Sequence, residues 1–209
     1  MALCGRWVAG EFVWMVCGVD YATTWVEGRA MWGRGQVGTL AALQDVEASL
    51  PFSLLGLDSD NGGEFLNHHG VKWLQKRPQP VFMTRSRPYK KDDNAHVEQK
   101  NWTHIRQCFG YERHDNPGVV APINELVKGD YGQLLNYFHA SLKLHHKERK
   151  GGKVRRISGT SEPPMDRVLA SAEVTEATKQ RLRPHQARMN PFQHTHRVIH
   201  NFKAAAALA

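Results

Sequence analysis

Two carboxylates in this chain stand where carboxylates do chemistry. Asp60 closes an apolar run containing Leu54, Leu55 and Leu57, follows Asp58, and precedes Asn61-Gly62-Gly63; Glu98 comes later, with 37 residues between them. An apolar run that ends in acids and breaks at glycines reads as a buried strand whose tip presents carboxylates. Hard oxygen ligands on separate rigid elements can hold two divalent cations ~3.5–4 Å apart, one activating an attacking oxygen and one stabilising the leaving oxygen of a phosphodiester. Gly62 and Gly63 permit a sharp exit and close approach of a nucleic-acid backbone. The competing reading gives Asp60 an Asx turn and Glu98 a solvated helix face.

The residues ahead of Glu98 suit the same task. Arg85, Arg87, Lys90 and Lys91 flank a loop that also holds Tyr89, and cations interleaved with an aromatic suit phosphate contact plus base stacking. A solvated charged loop is the alternative. A helix is predicted to open near Asp93 or Asn94. Asn94 and Asn101 then lie beside Glu98, where they can hydrogen-bond a metal-bound water or a phosphate, and Trp102 is expected to pack in the core.

These residues need elements to position them. Residues 11–19 are apolar and β-prone throughout and read as a strand buried on both faces, turning at 20–24 into a hairpin partner at 25–31. Helical spacing predicts a helix over 36–49, stopped by Pro51. The strand from Leu54, a helix over 64–76 and a strand over 81–86 follow, giving the order β-β-α-β-α-β-α. Residues 119–127 and 131–144 read as two short helices, with Leu134, Leu135, Tyr137, Phe138 and Leu142 expected to pack on the core.

With TRSRPY over residues 84–89 and NAHVEQKN over 94–101, the chain resembles the catalytic core of DDE transposases and retroviral-type integrases, in particular bacterial insertion-sequence transposases. The resemblance runs over about residues 2–156 and more weakly beyond. It implies an α/β, RNase H-like fold, a mixed sheet flanked by helices, with Asp60 and Glu98 as catalytic metal ligands for Mg²⁺ or Mn²⁺. The implied reaction is hydrolysis at a transposon end, then attack of the freed 3′-hydroxyl on target DNA. The implied partners are DNA, further copies of the chain, or full-length transposase subunits.

In that family a further strand carrying the first catalytic aspartate comes before the hairpin, and here Met1 stands where it should be ending. Asp20 falls on the second strand of the family, at a position that is not a ligand there, so a turn role is expected for it. The expectation is an N-terminally truncated core that is an inactive fragment, with a non-catalytic DNA-binding or transposase-interacting remnant as the alternative. A metal-dependent nuclease that cleaves without joining is a third reading, disfavoured by the two family-like segments.

Composition fits this picture. The 209 residues are 41% hydrophobic, enough for a packed core, and no apolar run reaches the ~20 residues of a membrane span. Three cysteines without CxxC spacing predict neither a disulfide framework nor a zinc knuckle, as in a reducing cytoplasm. Charge is uneven: residues 1–140 carry 14 Lys+Arg against 15 Asp+Glu, and residues 141–209 carry 14 against 5. Six of the ten residues 147–156 are basic, namely Lys147, Arg149, Lys150, Lys153, Arg155 and Arg156, around Gly151-Gly152. We read a flexible DNA-backbone arm here, a solubilising tail being the alternative. The expected organisation is a core over 1–115, a helical continuation over 116–146, and a basic linker with a small C-terminal appendage over 147–209. Short helices are predicted at 165–170 and 175–182, with breaks at Pro184 and Pro191. His194, His196 and His200 have helical spacing but no acid or cysteine beside them in sequence, which argues against a metal site.

Overall fold

The apolar run that ends at Val19 forms strand β1 (Val13–Val19), which pairs antiparallel with β2 (Val26–Trp32) in a register running from Val13↔Trp32 to Val19↔Val26. The computed structural model describes residues 1–59, 68–85 and 99–206. Between the two strands, the Asp20 carboxylate accepts hydrogen bonds from Thr23 N at 2.7 Å and Thr23 Oγ1 at 2.6 Å. Asp20 therefore initiates the turn, as an Asx residue does. Thr24 adopts φ +63°, a left-handed conformation that a β-branched residue resists. Arg167 holds it there, donating to Thr24 Oγ1 at 2.6 Å.

Both edges of this two-stranded sheet are partly occupied. Along β2, the Asn136 amide accepts from Val26 N and donates to Val26 O, both at 2.8 Å, and Asn124 does the same for Ala30 at 2.8 and 2.9 Å. Each side chain reproduces the bonds of an absent strand, satisfying backbone groups that otherwise face an apolar wall. Along β1, Leu3 N donates to Val13 O, Met15 N to Met1 O, and Val13 N to His114 O. Asn136 is 2% exposed. Asn136→Ala is expected to cost about 2–4 kcal/mol, because it strands a buried N–H and a buried C=O of Val26 together; a urea-unfolding midpoint within error of the parent contradicts this.

Helix α1 (Gln36–Ser49) packs on β2 and meets a charge buried inside the fold. Arg29 is 1% exposed. Its guanidinium reaches Glu27 at 3.0 Å, Asp45 at 2.8 Å, Gly28 O at 2.6 Å and Ser49 Oγ at 2.5 Å. Trp25 Nε1 donates to Glu27 at 3.0 Å, and Lys128 pairs with Asp45. The two acids respond differently. Burial lifts the Glu27 carboxyl above the usual range despite Trp25 and Arg29. Burial also pushes Asp45 upward, but Lys128 and Arg29 together outweigh it, so the more exposed acid titrates lower.

Next come β3 (Gly56–Ser59), α2 (His68–Gln75) and β4 (Phe82–Arg85). Strands β3 and β4 are parallel and form their own sheet. The run from Leu54 is thus not a strand buried in a larger sheet: Leu55 is 68% exposed and Phe82 72%. Among the described residues β3 pairs with β4 alone, so its other edge has nothing to bury against. The described order of elements is nevertheless β-β-α-β-α-β-helix, a mixed α/β architecture.

Beyond it, a π-helical stretch (Asn101–Arg106) runs into α3 (Gln107–Phe109), and α4 (Val120–Lys128) and α5 (Asp130–Tyr137) follow. Val127 O approaches so closely that Gly132 has no room for a Cβ, which lets α5 start hard against the end of α4. The second helix predicted here stops at Tyr137: Leu142 is exposed and Leu144 begins a strand. The basic run forms a β-hairpin, β5 (Leu144–Lys150) and β6 (Lys153–Ser158), not a flexible arm. Helices α6 (Pro164–Ala170), α7 (Glu176–Ala187) and α8 (Pro191–Ala206) complete the chain. Pro184 lies inside α7 without ending it, whereas Pro191 opens α8.

Three apolar clusters hold the described elements, a small one joining Val16 and Met31 of the β1–β2 hairpin to Ala42 of α1. The largest joins Leu3, Val13 and Met15 to Ile105, Phe109, Ile123, Leu126 and Val198; the next joins Trp25 and Tyr137 to Met165, Val168, Val174 and Leu182. Residues from α6, α7 and α8 therefore contribute to the core. Burying each such side chain contributes about 1.5–3 kcal/mol.

Candidate functional site

The parallel register Gly56↔Phe82 to Ser59↔Arg85 brings the C-terminal ends of β3 and β4 to one edge. In sequence, Asp60 follows Ser59, and Arg87 and Tyr89 come shortly after Arg85. Asp60, Arg87, Tyr89, Lys90, Lys91, Asn94 and Glu98 lie outside the described residues. Arg85 is the last residue of β4 and is exposed. Asp58 accepts from Thr84 Oγ1 at 2.6 Å across the strands, so its carboxylate already has a structural bond.

Directly after Glu98 the helical turn Gln99-Lys100 leads into the π-helical stretch. Lys100 is buried, and its Nζ lies 3.0 Å from His104 Nε2. Among the described residues no carboxylate pairs with it. Burial depresses the Lys100 ammonium, with Arg167 adding to the effect. Burial, then Lys100 and His139, push the His104 imidazole down to about 3, so the ring is neutral and accepts from Lys100. The His139 ring stands edge-on to His104 at 5.5 Å and is depressed for the same reasons. Tyr131 closes the group, donating to His104 O at 2.6 Å. Nearby thiols, both partly buried, shift for the same reason: burial pushes Cys17 up to about 12 and Cys108 up to about 11. The residues after Glu98 thus run into an interior that disfavours charge, not an open basic groove.

One turn further, the structure corrects a sequence expectation. Trp102 is half exposed rather than core, its ring 6.1 Å from that of exposed Tyr111, and the Arg106 guanidinium stacks over Tyr111 at 4.7 Å. A π-turn inserts an extra residue per turn and shifts the outward face, which α-helical spacing cannot anticipate. Asn101 carries a buried side-chain oxygen without a hydrogen-bond partner among the described residues.

The histidines of the last helix do something local. His194 is buried and its Nδ1 lies 2.7 Å from Asp130 Oδ1, which also accepts from Arg197 Nε at 2.8 Å. The acid that sequence adjacency does not reveal comes from the first turn of α5, 64 positions away. Among the described residues no group of three or more His, Cys, Asp and Glu is placed to hold a metal ion.

The other candidate residues gather on the β5–β6 hairpin. Lys147 stands opposite Arg156, Glu148 opposite Arg155, Arg149 opposite Val154, and Lys150 opposite Lys153. Gly151, at φ +61°, and Gly152 form the two-residue turn. A Gly-Gly pair between β-compatible runs is itself a hairpin signal, although here the charge density reads as disorder. The six cations are brought together by strand pairing, remote from the β3–β4 edge in sequence.

The described elements define a mixed α/β protein with small sheets, a helical C-terminal region packed on the core and a basic β-ribbon; no described helix is long and apolar enough to cross a membrane. No family model matches the chain. It is similar to an uncharacterized protein, y4rM, of Sinorhizobium fredii, at 37% identity over 161 residues, which covers 76% of this chain and 45% of that protein. The chain thus spans less than half the length of the curated relative it matches.

Proposed function

We propose that this chain is a DNA-handling protein of the transposase/integrase class with an RNase H-like core, in which Asp60 and Glu98 hold Mg²⁺ or Mn²⁺. The observation that carries this reading is the parallel register of β3 and β4. It sets Ser59 beside Arg85 at the C-terminal ends of the two strands, and Asp60 and the basic run 85–91 are next to these residues in sequence. The element order and the TRSRPY and NAHVEQKN segments support it. When bound, the metal ions would activate the attacking oxygen and stabilise the leaving one. Asp60 and Glu98 would hold them, and Arg85 with its neighbouring cations would seat the DNA end. Asp20 is committed to its turn and supplies no third carboxylate.

Manganese binding followed by electron paramagnetic resonance, in the presence of a DNA duplex, tests the metal assignment. Asp60→Asn and Glu98→Gln are each expected to weaken Mn²⁺ binding at least ~10-fold, since even the partners that orient metal ligands are worth 10–100-fold. Equal binding by both variants and the parent defeats the reading. The second reading, a non-catalytic DNA-binding protein, is favoured by the cation-rich hairpin and requires DNA binding to survive Asp60→Asn.

A further inference from the structure

The hairpin's two faces differ. Strand alternation puts Lys147, Arg149, Val154 and Arg156 on one face, and His146, Glu148, Lys150, Lys153, Arg155 and Ile157 on the other. Each face carries three Lys or Arg. The first has no carboxylate, and all four of its residues are exposed. The second holds Glu148, bonded to His146 at 3.3 Å and facing Arg155, and both Glu148 and Ile157 are half-buried. An acid there repels phosphate, and it already pairs with the neighbouring His146.

The ribbon is also fixed at its root. Ser141 and Glu162 exchange backbone bonds at 3.0 and 3.3 Å, Gly159 N donates to Lys143 O at 3.0 Å, and Lys143 Nζ donates to Ala22 O at 2.6 Å. Arg167 donates to Ser141 O as well. From this base the strands project as a ribbon ~20 Å long, at about 3.3 Å per residue. A two-stranded ribbon fits the ~12 Å major groove of B-form DNA.

We infer that the hairpin is a double-stranded DNA-binding ribbon that lays its acid-free face, Lys147, Arg149 and Arg156, along the duplex backbone, with Val154 against the groove wall between them. This rests on the DNA-handling reading and deepens it by assigning the surface. Contact is electrostatic and indifferent to sequence, because backbone phosphates carry no base identity. Each lost phosphate contact makes the slope of log K against log salt shallower by ~0.9.

Two charge-matched triple variants test it on a 20-base-pair duplex of arbitrary sequence, read by fluorescence anisotropy across 50–200 mM salt. Lys147→Ala/Arg149→Ala/Arg156→Ala is expected to weaken binding on the order of 10–100-fold and to flatten the salt slope by roughly 2–3. Lys150→Ala/Lys153→Ala/Arg155→Ala removes the same net charge and is expected to change binding less than about threefold. Circular dichroism of both variants, matching the parent, establishes that each is folded; a variant that fails this is replaced by the Lys/Arg→Gln triple. Equal losses in the two variants mean bulk charge alone and overturn the face assignment. No loss in either overturns the hairpin as the DNA surface while leaving the DNA-handling reading standing. A parent chain that binds no duplex at 50 mM salt overturns both.

Discussion

Arg29→Ala is expected to lower the unfolding free energy by about 3–5 kcal/mol, as truncating one partner of a buried ion pair does. For a domain stable by about 5–15 kcal/mol this is a large fraction of the whole. The guanidinium joins Glu27, Asp45, Gly28 O and Ser49 Oγ within 2.5–3.0 Å. Its removal leaves Glu27, a carboxylate already lifted by burial, facing an apolar interior with only the Trp25 indole. It also unpins α1 from β2. Arg29→Met combined with Glu27→Gln should recover most of the loss, because the desolvation of both charges disappears together and the volume is retained. Urea unfolding followed by tryptophan fluorescence measures this. An Arg29→Ala chain within ~1 kcal/mol of the parent, or a double variant no better than the single, would sink the account.

The second large effect is a loss of stability in acid, centred on His104. Its imidazole is 4% exposed and held at about 3 when folded, against an ordinary value of about 6.5. As pH falls below 6.5 the unfolded chain gains a proton that the folded chain refuses. The contribution is therefore fully present above pH 6.5 and is lost progressively down to about 3, at most about 5 kcal/mol over the window. His139 is shifted in the same direction and adds to the slope. In His104→Gln the amide oxygen can still accept from Lys100 Nζ but cannot be protonated. We expect the parent to lose about 3 kcal/mol more than His104→Gln between pH 7 and pH 4. Superimposable stability–pH curves would show that the ring is not buried neutral.

What the sequence discloses and what it hides divide along a physical line. The β1–β2 hairpin and α1 are legible because apolar periodicity is a local signal, and helix 36–49 is found where the spacing predicts it. Hidden are the features whose meaning lies in a distant partner. Asn124 and Asn136 look like ordinary helix polar residues until Ala30 and Val26, 94 and 110 positions away, are set beside them. Arg29 lies within the predicted partner strand at 25–31, and its burial against Asp45 and Ser49 is set by residues 16 and 20 positions away. The basic run reads as flexible because charge predicts solvation, while strand pairing is decided by the Gly151-Gly152 turn. Trp102 is misplaced by helical spacing because the helix there is not α. The apolar run from Leu54 predicts a buried strand, but β3 pairs only with β4 among the described residues and leaves Leu55 in water. Of the candidate site, Asp60 and Glu98 are named by sequence alone and lie outside the described residues, while the order of the described elements up to β4 is legible; the division of the hairpin into two unlike faces emerges only from register.

The amide pairs along β2 also limit the growth of the sheet. Two asparagines have already taken the donor and acceptor that an incoming chain would need at Val26 and Ala30, so β2 is a closed boundary against strand addition from another molecule. On the β1 margin the corresponding positions are taken by backbone: Met1 and Leu3 bond to Met15 and Val13. The two margins are therefore unlike: one is sealed against self-association by side chains posing as backbone, the other is met by backbone itself.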